Sequence, residues 1–329
     1  RPICQFVNNT GGQHADSDIW VMAIVRGPDG QFSYARPNGS LVHCVPGQST
    51  HGYFDSLASI SGMQWPATMT SGRLYVAYGG PLDIMINSDV NGNVGVAFPD
   101  ISNPGDPSVN RDFDWIEFAV VNNAVWCNTT QVDIFGIPMQ LELYQGSANS
   151  YSLNGKVGLT ESSNALRAAW SAEVPAAFQS LLGPHRIVAP IHSSLASNGY
   201  WDAYVNHIWA QYTSSDLVIP TGNGIFTGRV GSDGRLAFQR PGDGSTYHVS
   251  KPSTFAVWGG ARALLRGNAS ELMIETQLCA AFHRHVLGNI SALGDPSQYY
   301  QSAPADYWAK FWHEHGIGNK AYGFCFDDV

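Results

Sequence analysis

Charge is what this chain has least of. Aspartate, glutamate, lysine and arginine make up only 13% of its 329 residues, and the formal net charge is 17 − 26 = −9. With no basic stripe to neutralise a phosphate backbone, nucleic acid is not an expected partner. No apolar run reaches the length of about 18 residues that a helix needs to span a membrane, so no membrane is expected either. C-x-x-C is missing, which removes a zinc ribbon or a dithiol redox motif. G-x-S-x-G is missing, and with it the nucleophile elbow of a serine hydrolase. H-E-x-x-H is missing too. The pairs His283/His285 and His313/His315 stand two apart, and on a helix such side chains diverge by about 200°, too far to share one ion. Gly222-Asn223-Gly224 lacks the strand and helix that frame a phosphate loop and reads as a turn. Neither a metal nor an organic cofactor is expected.

Glycine and aromatic side chains are plentiful by contrast: 35 glycines, 10 tryptophans and 14 tyrosines. That balance suits a β-rich extracellular protein, and the length suits two domains. The chain begins at Arg1 rather than Met, which reads as a processed secreted protein. Five Asn-x-Ser/Thr triplets, at Asn8, Asn38, Asn128, Asn268 and Asn289, fit a secretory route, with Asn128 expected to be unmodified. In that setting the five cysteines would form two disulfides and leave one thiol. Cys4 with Cys44 and Cys279 with Cys325 are the pairings we expect.

Short strand-like segments separated by Gly, Pro and Asn turns fill the first part of the chain, as in a sandwich or barrel. Ile19 to Val25 and Phe32 to Arg36 flank Gly27-Pro28-Asp29-Gly30. Leu74 to Tyr78, Leu82 to Asn87 and Val94 to Phe98 follow. After Gln145 the hydrophobic period becomes helical: Asn164 to Leu182, Tyr200 to Tyr212, Glu271 to Leu287 (with Ser270 as its cap) and Pro304 to His315. Arg186 to His192 reads as a buried strand, and Ala321 to Phe326 as a last one.

The chemistry concentrates between Asp112 and Gln140. Asp114 to Val121 and Thr130 to Leu143 have strand composition, with Asn122-Asn123 between them. A hairpin centred near Val125 would set Glu117 directly opposite Asp133, on one face, with Cβ atoms roughly 5 Å apart. Paired carboxylates on a cleft are what glycoside hydrolysis needs, one to protonate the leaving oxygen and one to activate water or attack. A surface acid in a different register is the competing reading. Asp112 and Asp114 have the opposite parity to Glu117 and are read as hydrogen-bond partners of nearby loops.

Asp114-Trp115-Ile116-Glu117-Phe118, Trp126, Asn128-Thr129-Thr130-Gln131-Val132-Asp133 and Phe135-Gly136-Ile137-Pro138-Met139 together resemble the β-1,3-glucanases of glycoside hydrolase family 64. Ser71-Gly72-Arg73-Leu74-Tyr75-Val76 is similar to a strand near the start of thaumatin-like domains. The ending Ala321-Tyr322-Gly323-Phe324-Cys325-Phe326-Asp327-Asp328-Val329 is similar to that family's closing strand. The resemblance implies a mainly β, α+β fold: a thaumatin-like β-barrel or sandwich over residues 1–150, rejoined by 316–329 as a closing strand, and a mixed α/β domain over 151–315. A wide groove would lie between them. It implies a secreted, monomeric endo-β-1,3-glucanase that inverts configuration and releases short laminari-oligosaccharides. Glu117 would be the general acid and Asp133 the general base, with Trp126 and Thr130 lining the sugar site. Ala119 and Val121 depart from the polar residues expected on that strand. They leave a second reading, a thaumatin-like protein that binds β-glucan without cleaving it.

Overall fold

The computed structural model describes residues 1–147 and 150–329, except that the side chain of Ser270, the expected helix cap, also lies outside the described residues. The chain is mostly strand with some helix. Its largest sheet has seven antiparallel strands. The order runs from Ala124–Thr129 through Phe113–Val121, Met69–Tyr78, Ile19–Arg26 and Phe32–Ala35 to Leu41–His43, and Asp55–Ser56 pairs with part of Ile19–Arg26. The two end strands do not pair with each other, so the sheet stays open and the expected barrel does not close.

Alternation along these strands feeds two cores. Met22, Ile24, Tyr34, Tyr75, Phe113 and Trp115 bury against one face of the sheet. Val21, Ala23, Val25, Leu74, Ile116, Phe118 and Val120 bury against the other. Neighbours in sequence thus enter opposite cores, and the strands read as near-continuous apolar runs because both faces are covered. Each large side chain buried in this way contributes about 1.5–3 kcal/mol relative to exposure.

A third core gathers residues from Phe135 to Trp312, centred on Trp170, Trp201, Trp308 and Trp312, all fully buried. The helices Ser163–Glu173, Asp202–Gln211, Ala269–His283 and Tyr307–His315 contribute to it, as does a four-stranded antiparallel sheet from Leu217 to Val249. Asn268 starts the long helix: its side chain accepts the Glu271 amide at 3.1 Å, and the Glu271 carboxylate accepts the Asn268 amide at 2.8 Å. This reciprocal pair is a capping box. The expected strand from Arg186 to His192 shortens to Ile187–Val188, which pairs with Ile134–Phe135, and then a 3-10 turn at Pro190–His192 takes over.

Residues 321–326 form no strand. The Asp327 carboxylate accepts the amide of Gly323 at 2.9 Å and folds the tail back on itself. Phe324 is held between Ala280 and Ala309 in a small buried cluster. The tail still reaches the site region, because Gln131 donates its amide to the Tyr322 carbonyl at 2.8 Å.

The cysteines are all free thiols. Cys44 packs in the core on one face of the sheet, with Tyr34 and Phe54, whereas Cys4 packs against the core on the other face. The expected Cys4–Cys44 bridge would have to cross the sheet. Cys279 and Cys325 are neighbours, but the Cys279 thiol is directed at the Val257 carbonyl, 3.7 Å away, and no bridge joins them.

Candidate active-site cleft

Asn122 and Asn123 both have left-handed backbone, with φ of 51° and 65°. Two consecutive residues of that kind make the tight two-residue loop whose twist matches a hairpin. Val121 therefore pairs with Ala124, and Glu117 lies opposite Asn128 rather than Asp133. The expected register is corrected by that turn. Thr130 to Asp133 leaves the ladder altogether. Its backbone is taken up by the tail, through Gln131 and Tyr322, and by the Trp308 indole, which donates to the Gln131 carbonyl at 2.8 Å.

Glu117 keeps the orientation expected for it. It shares a strand face with Ala119, and across the hairpin Asn128 and Trp126 oppose Glu117 and Ala119. On the other side Glu117 opposes Arg73, and the guanidinium Nη2 sits 3.2 Å from the Glu117 carboxylate. Arg73 lies over the rings of Phe98 and Trp115, at 4.6 and 5.0 Å from their centroids, which fixes the guanidinium plane. Phe32, Ser71, Arg73, Phe98, Glu117, Ala119, Trp126 and Asn128 line a cleft of about 480 Å³. Trp126 is 59% exposed there. Val121 points to solvent farther along the strand.

Asp133 is held from the other part of the chain. Its carboxylate accepts from His192 Nε2 at 2.7 Å, and its carbonyl accepts the Ala189 amide at 2.9 Å. The two acids meet electrostatically on shared neighbours. Burial would lower Arg73, but Tyr75, Glu117 and Asp133 outweigh it and hold the guanidinium above its ordinary value. Burial, then Cys279, then Asp133 and Glu117 push the Cys325 thiol up to about 11.

Thr130 is buried, and it does not line the cleft; its hydroxyl faces the Val132 amide. Asp114 does serve the loops, as its parity suggested. Fully buried, it accepts amides from Trp115, Gly136 and Ile137 at 2.8, 2.8 and 3.2 Å. Burial pushes its carboxyl up to about 7 against those three donors. Asp112 pairs with His185. Sequence reasoning left Arg73 without a role inside its quoted motif and missed His192, which stands 59 residues from its partner.

A sequence-family model of the β-1,3-glucanases of glycoside hydrolase family 64 matches residues 3–329. The chain belongs to that family. It is 30% identical over 278 residues to a glucan endo-1,3-β-glucosidase of Cellulosimicrobium cellulans, a match covering 79% of this chain and 48% of the relative. It thus spans about half the length of the curated relatives it matches. Its structure is similar to a family 64 β-1,3-glucanase domain from Clostridium beijerinckii, at 32% identity and a TM-score of 0.90, covering 99% of this chain and 92% of that one. It is also similar to a laminaripentaose-producing family 64 enzyme from Paenibacillus barengoltzii complexed with laminarihexaose. There the identity is 29% and the TM-score 0.73, with coverage of 99% and 69%.

Proposed function

We propose that this family 64 chain is a secreted endo-β-1,3-glucanase that hydrolyses β-1,3-glucan with inversion of configuration. The observation that carries the reading is that Glu117, with the Arg73 guanidinium 3.2 Å from its carboxylate, lines a cleft beside an exposed indole, Trp126. Glu117 donates a proton to the glycosidic oxygen, and Asp133 takes one from a water that attacks the opposite face of the sugar. Arg73 Nη2, 3.2 Å from the Glu117 carboxylate, holds that side chain at the cleft.

Direct cross-strand opposition would have put the carboxyls at about the 5 Å that suits retention, whereas inversion needs roughly 6.5–9.5 Å to admit a water. The observed register removes that short pairing. Trp126 is the sugar platform. Thr130 acts through the shape of the Asp133 loop. We take residues 1–150, with 316–329, as a thaumatin-like unit and 151–315 as a second unit, with the glucan lying in a groove between them. The protein acts as a monomer outside the cell, as its few charges and five glycosylation triplets suggest.

The test is release of soluble oligosaccharides from laminarin or curdlan. Glu117→Gln and Asp133→Asn should each lower turnover by about 10²–10⁴-fold, with melting temperature unchanged. NMR of the first-formed product should detect the α anomer. A β anomer would end the general-base role of Asp133. Binding of curdlan without release would favour the lectin-like reading, the one that Ala119 on the cleft wall supports.

A further inference from the structure

We propose that His192 is the positioning residue of Asp133: it turns one carboxylate oxygen of the base toward the attacking water by occupying the other. The inference rests on the general-base reading of Asp133 given above.

Asp133 sits in a loop between two strands, with its side chain about one third exposed and no ladder partner of its own. A carboxylate in that position would turn freely about its terminal bond and present either oxygen in many directions. One contact restrains the carboxylate and another its backbone, and both come from one turn. The Ala189 amide holds the Asp133 carbonyl, and His192 Nε2 holds Oδ1 at 2.7 Å.

The turn itself is rigid. His192 donates its own amide back to the Ala189 carbonyl at 2.9 Å, and Pro190 opens the 3-10 helix with a fixed φ. Ser193 closes it with its hydroxyl on the Pro190 carbonyl at 2.8 Å. Just outside the turn, Val188 pairs with Ile134, the residue next to Asp133. The base and its orienting imidazole are thus built on two segments locked in register at adjacent positions. With Nε2–H donating to Oδ1, Oδ2 keeps its lone pairs for the proton of the nucleophilic water. No atom of His192 needs to touch the sugar. A structural tie of the same loop would not need an imidazole at the exposed end, because the Ala189 bond and the Ile134–Val188 pair already fix the backbone.

The experiment compares the full chain with His192→Ala and His192→Gln, each alone and combined with Asp133→Asn, on laminarin. Glutamine keeps a donor near the Nε2 position and alanine does not. His192→Ala should lower kcat about 10–100-fold, the range expected for a group that orients another, with KM within about twofold. His192→Gln should regain most of that loss. In the Asp133→Asn background, His192→Ala should bring no further loss. Equal losses in both backgrounds, a change in KM alone, or failure of a glutamine variant that melts like the wild type would overturn the assignment. Wild-type turnover in Asp133→Asn alone is a different failure: it removes the base itself, whatever His192 does.

Discussion

Trp126 leaves 59% of its surface in water on an edge strand, where it contributes little to folding. An indole so exposed suits an apolar sugar face. Trp126→Ala should raise KM for laminarin about fivefold, equivalent to roughly 1 kcal/mol of stacking, and leave the melting temperature within about 1 °C. Initial rates and a thermal melt on the same preparation check this, and a melting point lowered by several degrees would return Trp126 to the structural side chains. At this scale the sequence was informative where chemistry is carried by residue type and parity. Glu117 and Trp126 both line the cleft, and Asp114 turns inward to loop amides. The partners were not legible. Arg73 reaches Glu117 only through strand pairing, and His192 reaches Asp133 only through the Ile134–Val188 contact.

Register decides what the elements do. Asn122-Asn123 stands between the two strand-like segments, but a two-residue loop that closes the hairpin there at once depends on two positive φ angles that composition does not specify. Thr130 to Asp133 has strand composition, yet its hydrogen bonds go to the tail and to Trp308, partners far away in sequence. That competition is invisible to a periodicity argument. The segment beyond it is constrained by close approach. A Cβ on Gly136 would lie 1.9 Å from the Phe113 carbonyl oxygen, which is backbone and cannot swing aside. Gly136 also gives its amide to buried Asp114. Gly136→Ala should therefore destabilise the protein by about 3 kcal/mol or more and, three residues from Asp133, depress turnover further than the stability loss explains. Urea melts with parallel rate measurements are the check, and unchanged values in both would show that the strand can move away.

At the scale of the whole molecule, one buried histidine ties stability to pH. His283 is buried among Trp201, Trp258 and Phe324, with Nδ1 2.6 Å from the Asp306 carboxylate and Nε2 2.8 Å from the Val257 carbonyl. Both ring nitrogens face acceptors, so the imidazole is doubly protonated. Burial opposes that charge, but Asp306 and Cys279 outweigh it and raise the group from 6.5 to about 10. The folded state therefore holds a proton that the unfolded chain releases. This contribution is fully present below about pH 6.5 and is lost as the pH rises toward 10. Melting temperature should fall across that window, and His283→Gln, though less stable, should follow a flatter profile; parallel slopes would rule the pair out. The long helices were legible because apolar residues recur at helical spacing over several turns. The tail was not, since a family-like ending read as a strand while its backbone folds around Asp327.

Glu117 and Arg73 come from adjacent strands of one sheet, Asp133 from the loop beyond its edge, and His192 from a turn in the later part of the chain. The complete set spans residues 73 to 192, far more chain than any one hairpin. A single cut anywhere between Arg73 and His192 would divide the four side chains between two pieces.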